Sequence, residues 1–124
     1  NGYNEVWLNG RNDWIYRHLD EGSRRMIELA RKFERTDDAL RIRALNQMAR
    51  ELLLAQSSDW AFIITTNTTV EYAVNRTKTH IDRLLRLYGE IESNSIDESR
   101  LKTLEWIDSI FPHIDFRVYA KQVG

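Results

Sequence analysis

The sequence has no cysteine, a single proline and only five glycines among its 124 residues. Without cysteine, neither a disulfide framework nor a thiolate metal site is possible, and this fits a reducing compartment. We therefore expect a cytoplasmic protein. Proline and glycine are the residues that interrupt helices most strongly, so their scarcity favours long helices.

A strong net charge and a long apolar run are also missing. The chain has 18 Lys and Arg against 19 Asp and Glu, a formal charge of −1, which argues against a nucleic-acid binder that relies on a basic surface. The longest apolar runs are about four or five residues, too short for a membrane span, and no secretory signal pattern is present. We therefore expect a globular protein with neither a nucleic-acid nor a membrane partner.

The chain opens with Asn1-Gly2-Tyr3 rather than with methionine, and an aromatic-rich segment starts at once. We therefore expect a fragment of a longer protein. Its length suffices for one hydrophobic core, and no repeat or linker divides it, so residues 1–124 are predicted to form a single helical domain.

The stretch from Leu45 to Phe62 is predicted to be the central helix. Its apolar residues recur at steps of three and four, the spacing of one helix face. They are Leu45, Met48, Ala49, Leu52 and Ala55. Ser57 and Ser58 break this pattern, so we expect the helix to end there, with Trp60 on the turn that follows.

Three further segments have helical spacing, each with its own start signal. The first begins at Asn12 or Asp13, and the third follows a polar turn at residues 65–69. The fourth is opened by a capping box that starts at Ser95 and is stopped by Pro112. The predicted fold is therefore an all-α bundle of four main helices.

The sequence also predicts a close contact at Gly22, the cap of the central helix and the conformation of the two chain ends. Gly22 lies on the apolar face of the first helix and costs about 1 kcal/mol of helix propensity, so we expect another group to approach it closely. Asp37 and Asp38 are expected to cap the central helix. Residues 1–11 lack a helical period and the last residues, from His113, alternate in polarity, so both are predicted to be extended arms.

The sequence offers no self-sufficient active site. The histidines His18, His80 and His113 are scattered, no phosphate-binding glycine loop or serine elbow is present, and no carboxylate pair stands out. We therefore predict no catalytic residue, no cofactor and no metal, and we interpret His18 as a half-buried packing residue. Arg50 and Glu51 adjoin an apolar run, where they form either a buried ion pair or two solvated side chains.

Aromatic residues are dense near the start of the chain. Tyr3, Trp7, Trp14 and Tyr16 are interleaved with asparagines and an aspartate, among them Asn9. Flat aromatic rings stack on sugar faces, while amides and carboxylates bind hydroxyl groups, so the residue types fit a carbohydrate site. A core role for the same aromatics fits the pattern as well.

Three segments of the sequence are similar to parts of a known family. They are GYNEVWLNGRNDWIYRHL, residues 2–19, LNQMARELLLAQSSDWAFI, residues 45–63, and FPHIDFRVYA near the end. The first resembles the last conserved region of glycoside hydrolase family 57, with the 1,4-α-glucan branching enzymes of that family as the nearest match. The second is similar to the long helix of the family's C-terminal helical domain, although Ala61 stands where the family has proline, and the third resembles the C-terminus of these enzymes.

The resemblance implies a parent enzyme that is a retaining glucan transferase of glycogen biosynthesis. Its Glu nucleophile and Asp acid/base would lie on a catalytic (β/α)₇ barrel upstream of Asn1, so this chain alone would not be an enzyme. Its partners would be that barrel, in the same chain, and an α-glucan bound by the full-length enzyme. By the resemblance, Trp7 would contact the acceptor side of the glucan cleft, with Trp14 as a second contact and Asn9 a neighbour by residue type.

Two alternatives stay open at this point. The chain would be a helical protein-interaction domain without a carbohydrate role if all its aromatics belong to the core. It would be the same domain in an amylase or 4-α-glucanotransferase of family 57 if the parent catalyses a different reaction.

Overall fold

The computed structural model describes residues 13–64 and 67–121, with the side chains of residues 15–57 and 74–121. These residues form four α-helices and a short 3₁₀ helix, with no strand among them. The helices are α1 (Asp13–Lys32), α2 (Ala39–Ile64), α3 (Asn67–Glu92) and α4 (Glu98–Ile107), and the 3₁₀ helix is Phe116–Lys121. The prediction of an all-α bundle with four main helices is confirmed.

The central element is α2, as predicted. It packs most extensively against α3 and also contacts α1, α4 and the 3₁₀ helix. Its apolar face from Leu45 to Ala55 is buried and lies at the middle of the hydrophobic core. Around it the core is completed by Met26, Leu29, Leu84, Leu87, Ile91, Leu101, Leu104 and Phe116. No helix in the described part of the chain has both the length and the apolar character needed to cross a membrane.

The close approach predicted at Gly22 is present. A Cβ atom added at this position would lie 3.5 Å from Leu84 Cδ1 and 3.7 Å from Leu52 Cδ1. Both distances are ordinary van der Waals contacts, so α1 packs tightly against α2 and α3 here. The site nevertheless has room for one methyl group.

The central helix is longer than predicted, and its predicted end was wrong. It continues through Ser57 and Ser58 to Ile64, so the backbone at Trp60 is helical rather than a turn. Serine costs only a few tenths of a kcal/mol in a helix interior, and no proline follows to end the helix, since residue 61 is alanine. Residues 67–69, predicted as part of a polar turn, are helical, because α3 already begins at Asn67.

The N-cap of α2 was predicted correctly, and that of α4 was not. Asp38 caps α2, because its carboxylate accepts hydrogen bonds from the backbone N–H groups of Leu40 and Arg41 at 3.0 and 3.2 Å. The capping box at Ser95 was wrong. Asp97 takes that role by accepting from the Arg100 N–H at 3.1 Å. This correction shortens α4 at its start.

The C-terminal segment also differs from the extended arm predicted for it. Phe116 begins a 3₁₀ helix and is buried, while Val118, two residues later, is 55% exposed. Hydrogen bonds to distant parts of the chain fix this segment. Asn46 Oδ1 accepts from the Phe116 N–H at 2.9 Å, and Arg117 donates to the carbonyl oxygen of Glu34 at 2.7 Å. The N-terminal arm lies outside the described residues.

We expect Gly22→Ala to raise the free energy of unfolding by about 1 kcal/mol, because alanine has the higher helix propensity and its methyl group fits the space. Urea denaturation of the two proteins measures this difference. Gly89→Ala, a position of α3 with no atom within 4 Å of an added Cβ, serves as the control for propensity alone. A loss of stability in Gly22→Ala together with a gain in Gly89→Ala would contradict the predicted fit.

Candidate functional site

The structure leaves the sequence-predicted glucan contacts untested. Trp7 and Asn9 lie outside the described residues, and Trp14 lies in the first turn of α1 without a described side chain. Their assignment to the acceptor side of a glucan cleft therefore stays a prediction. His18, interpreted from the sequence as half-buried, is exposed and borders a small surface cavity beside Lys78 and Asp82.

The described residues instead contain a buried polar cluster between α2, α3 and the end of α4. We call it the Glu51 cluster. Its members are Gln47 and Glu51 of α2, His80 and Arg83 of α3, and Asp108 directly after α4. Gln47 and Glu51 are one helical turn apart beside Met48 and Leu52, so helix geometry places both on the buried face.

Glu51 and His80 form the centre of this cluster, and neither side chain has exposed surface. His80 Nδ1 lies 2.8 Å from Glu51 Oε1, and Gln47 Nε2 donates to Glu51 Oε2 at 2.9 Å. His80 Nε2 has no hydrogen-bond partner among the described atoms. The hydrogen bond between Glu51 and His80 therefore joins α2 directly to α3.

Asp108 extends the cluster to α4. Arg83 Nη1 donates to Asp108 Oδ2 at 2.7 Å, and His80 Nδ1 lies 3.7 Å from the same oxygen. Gln47 Nε2 also lies 3.2 Å from the carbonyl oxygen of Leu104 and 3.3 Å from that of Asp108. Helix ends leave carbonyl groups without partners, so Gln47 stabilises the end of α4.

Glu51 is buried, but it does not form the ion pair with Arg50 that the sequence left open. Adjacent residues of a helix point in different directions, so these two side chains do not face each other. Arg50 instead donates to Gln47 Oε1 at 2.9 Å and to the carbonyl oxygen of Ile110 at 2.8 Å. Arg50 thus holds the backbone after α4, while His80 is the partner of Glu51.

The surroundings raise the pKa of the Glu51 carboxyl group above its ordinary value. Burial is the main cause, because it disfavours the charged carboxylate, and the nearby Asp108 carboxyl group acts in the same direction. The hydrogen bonds from His80 and Gln47 oppose this shift. The cluster therefore holds a proton more tightly than an exposed glutamate does.

One group among the described residues could hold a metal ion. Its members are Glu51, His80 and Asp108, whose ligand atoms lie within 4.8 Å of one another. A divalent cation there would displace the hydrogen bond between Glu51 and His80 and would lie close to the Arg83 guanidinium, which already binds Asp108. The atoms that would bind the cation already have partners, since Glu51 binds His80 and Gln47 and Asp108 binds Arg83. We interpret the cluster as a structural joint, and the absence of a bound metal stays a prediction.

The cluster is unsuited to chemistry on a glucan because it is closed to solvent. Glu51 and His80 are fully buried, and Asp108 is 7% exposed. Sequence analysis missed this joint because its members are distant along the chain. A usable signal was the spacing of His80, which lies three residues after Thr77 and four before Leu84, so helix geometry puts all three on one face.

The most exposed aromatic side chain of the described residues was also missed. Trp106 of α4 is 82% exposed, and Phe111 is 57% exposed on the segment that follows. Next to Phe111 a groove of about 620 Å³ is lined mainly by apolar side chains. Trp106 lies off the buried face defined by Leu101 and Leu104, which is the sequence signal for its exposure.

Comparison with known proteins identifies the family of this helical domain. The family model described as 1,4-alpha-glucan branching enzyme, C-terminal, matches residues 18–119. The chain belongs to this family. The match spans all four α-helices except the start of α1 and includes the Glu51 cluster. Resemblance to the C-terminal helical domain of the branching enzymes is thereby confirmed.

Two individual relatives match nearly the whole chain. A 1,4-alpha-glucan branching enzyme of Thermococcus kodakarensis is 34% identical over 126 residues, which cover 98% of this chain and 18% of that enzyme. The crystal structure of the alpha-amylase AmyC from Thermotoga maritima matches with a TM-score of 0.84 and 58% identity, over 94% of this chain and 22% of that one. The chain therefore spans about a fifth of the length of these relatives.

We expect Glu51→Ala to lower the free energy of unfolding by about 3–5 kcal/mol, because it leaves His80 and Gln47 buried without their partner. Chemical denaturation followed by circular dichroism measures the loss. Gln56→Ala, at an exposed position of the same helix, should change stability by no more than about 0.5 kcal/mol. Equal, small effects of both substitutions would show that the cluster contributes little.

The raised pKa of Glu51 also predicts how stability depends on pH. The folded protein binds this proton more tightly than the unfolded chain, so the contribution is complete below the ordinary carboxyl pKa of 4.5 and is lost as the pH rises towards the folded pKa. Glu51→Gln keeps a neutral side chain at every pH. The stability of the variant relative to the original chain should therefore increase as the pH rises above 4.5, measured by urea denaturation at several pH values. A relative stability that decreases over this range would contradict the assigned direction.

Proposed function

We propose that the chain is the non-catalytic helical domain of a 1,4-α-glucan branching enzyme. The observation that carries this proposal is the family match over residues 18–119, the C-terminal part of such enzymes. The parent would belong to glycoside hydrolase family 57, act in glycogen biosynthesis and be cytoplasmic. The resemblance of residues 2–19 and 45–63 to family 57 supports the first of these, and the lack of cysteine fits the last.

Catalysis would belong to a barrel in the same polypeptide. In retaining enzymes of this kind, two carboxyl groups about 5 Å apart flank the bond that is cleaved. The Glu51 cluster brings the carboxylates of Glu51 and Asp108 together, but substrate cannot reach it because Glu51 and His80 are fully buried. This supports a role in shaping the substrate cleft rather than in bond cleavage.

The contribution of the domain to that cleft would come from its N-terminal aromatics. We assign Trp7 to the acceptor side of the cleft, with Trp14 as a second contact and Asn9 as a neighbour. Support comes from the resemblance and from the alternation of aromatic and amide residues, which suits sugar faces and hydroxyl groups. A bound acceptor chain would then compete with water for the glucan intermediate.

A second candidate is the same domain in an amylase or a 4-α-glucanotransferase. The similarity to AmyC, described as an alpha-amylase, favours the amylase, since its 58% identity exceeds the 34% to the branching enzyme. Both reactions need the same donor cleavage and differ in the acceptor, which is water or a sugar hydroxyl. A protein-interaction domain without a carbohydrate role has no support from these relatives.

We expect Trp7→Ala in the full-length enzyme to preserve the fold and to lose most branching, with hydrolysis increased relative to transfer. A misplaced acceptor loses the orientation on which transfer depends. Thermal unfolding, together with the ratio of branches formed to reducing ends released, measures both effects.

Trp7→Phe, which retains a stacking ring, serves as the matched variant and should recover part of the transfer. An acceptor role for Trp7 would be refuted by an unfolded Trp7→Ala protein, or by a folded one that branches normally. Loss of a core tryptophan would cost about 3–5 kcal/mol of stability, so the two roles are distinguishable.

A further inference from the structure

Two carboxyl groups face the same histidine in the Glu51 cluster. His80 Nδ1 lies 2.8 Å from Glu51 Oε1 and 3.7 Å from Asp108 Oδ2, and one ligand atom from each of the three side chains lies within 4.8 Å of the others. Carboxylates this close disfavour joint ionisation, because their negative charges repel each other. A proton held on His80 or on Glu51 relieves this repulsion. The arrangement therefore favours one proton held among the three side chains.

The charges of the cluster lead to the same conclusion. Arg83 is the cation that binds it directly, by donating to Asp108 Oδ2 at 2.7 Å. With both carboxyl groups ionised and His80 neutral, two negative charges face this single positive charge. A buried charge without a partner is costly, and Glu51 has no exposed surface. One further proton on Glu51 or His80 balances the charges.

Other charged residues on the surrounding elements have contacts outside the cluster. Arg50 of α2 comes nearest, but its guanidinium donates to Gln47 Oε1 and to backbone carbonyl oxygens rather than to a carboxylate. His18 of α1 is exposed at the surface. Three more bind groups elsewhere, namely Lys32 of α1, Glu105 of α4 and Arg117 of the 3₁₀ helix. Among the described residues, the cluster's own members therefore set its charge.

Asp108 connects this proton to the end of α4. Its N–H donates to the Leu104 carbonyl oxygen at 2.9 Å, and its own carbonyl oxygen lies 3.3 Å from Gln47 Nε2. Its side chain also lies at the edge of the cluster, with 9% of its surface exposed, whereas those of Glu51 and His80 have none. Asp108 is therefore the carboxylate that can move into water when the repulsion increases, and the end of α4 would move with it.

The segment after Asp108 is strained in this closed position. Phe111 has a φ angle of +48°, in the left-handed region that a bulky residue rarely adopts. Arg50 holds the backbone on both sides of it, by donating to the Ile110 carbonyl oxygen at 2.8 Å and lying 3.4 Å from that of Pro112. Release of the segment would relieve the strain. The backbone therefore favours opening once the contacts of Asp108 are lost.

We propose that the Glu51 cluster is a proton-dependent latch for residues 108–112. With one proton held among Glu51, His80 and Asp108, these residues are closed against α2 and α3. Without it, the two carboxylates repel each other and residues 108–112 detach. Phe111 and Pro112 line the apolar groove, so the groove would change shape with pH.

The direction of the pH dependence follows from the two positions of Asp108. The Asp108 carboxylate is close to the shared proton only in the closed state, so the closed state binds that proton more tightly than the open state does. Closing is therefore favoured at low pH and is lost as the pH rises. The raised pKa of the Glu51 carboxyl group agrees with this direction. The latch belongs to the domain itself and is independent of the proposed function.

Hydrogen–deuterium exchange of the full-length protein, read out by mass spectrometry, tests the latch. Exchange is compared at about pH 6 and about pH 9, on either side of the ordinary pKa of histidine, after correction for intrinsic rates. EDTA in every sample removes divalent cations. Protection of residues 104–112, which include the hydrogen-bonded Asp108 N–H, should fall at least about tenfold at the higher pH. Residues 44–52, at the centre of α2, should keep their protection.

Glu51→Gln is the matched variant, because its amide imitates the protonated carboxyl group at every pH. The amide oxygen can accept from Gln47, and the amide nitrogen can donate to His80 Nδ1. Residues 104–112 should then be equally protected at both pH values. Asp108→Asn removes the repulsion from the other side and should also abolish the pH dependence. Circular dichroism identifies the variants that fold, and either folded variant is sufficient for the comparison.

Three results would overturn the proposal. The first is protection of residues 104–112 that does not change with pH in the original protein. The second is an equal loss of protection in residues 44–52, which would indicate global unfolding. The third is a pH-dependent loss that persists in a folded variant, which would assign the response to another group.

Discussion

The hydrogen bonds around the Glu51 carboxyl group are the constraint on which the arrangement of the helices depends. Three helical segments meet there, because Glu51 of α2 binds His80 of α3, and Gln47 of α2 binds the backbone at the end of α4. Burial of these polar groups is costly unless they find partners, so they favour the placement of the helices in which Glu51 reaches His80 and Gln47 reaches the Leu104 carbonyl oxygen. The apolar core is built mainly of leucine and other aliphatic side chains from the same helices. Arg50, one residue from Glu51, extends the same constraint to the segment that presents Phe111.

Local patterns were sufficient to predict the helices from the sequence but not their ends. The apolar spacing of α1 and α3 and the cap at Asp38 depend on neighbours along the chain, and these predictions are confirmed. The helix was predicted to end at Ser57 and Ser58, but it continues, because the weak preference of serine against helix is overridden within a long helix. The 3₁₀ helix at Phe116 was missed because it is held by Asn46 and by contacts to the turn after α1, which are remote in sequence. The contact between Glu51 and His80 was missed for the same reason, since the two residues are 29 positions apart.

The family of this domain was predictable because long sequence segments carry it, whereas its substrate contacts were predicted only by resemblance. Trp7 and Asn9 lie outside the described residues, so their role depends on the similarity of residues 2–19 to family 57. In the proposed parent enzyme, this domain would influence catalysis through its surfaces. By the resemblance, the aromatics at its start would shape the acceptor side of the cleft.

We propose that this domain belongs to an enzyme that forms branches in α-glucan. Proton NMR of linear amylose incubated with the full-length parent enzyme tests this by counting α-1,6 linkages against reducing ends. We expect α-1,6 linkages to increase while reducing ends increase much less, since each transfer joins the cleaved chain to a new acceptor. Products that contain only shorter α-1,4 chains, with reducing ends rising at every cleavage, would contradict it and identify the parent as an amylase.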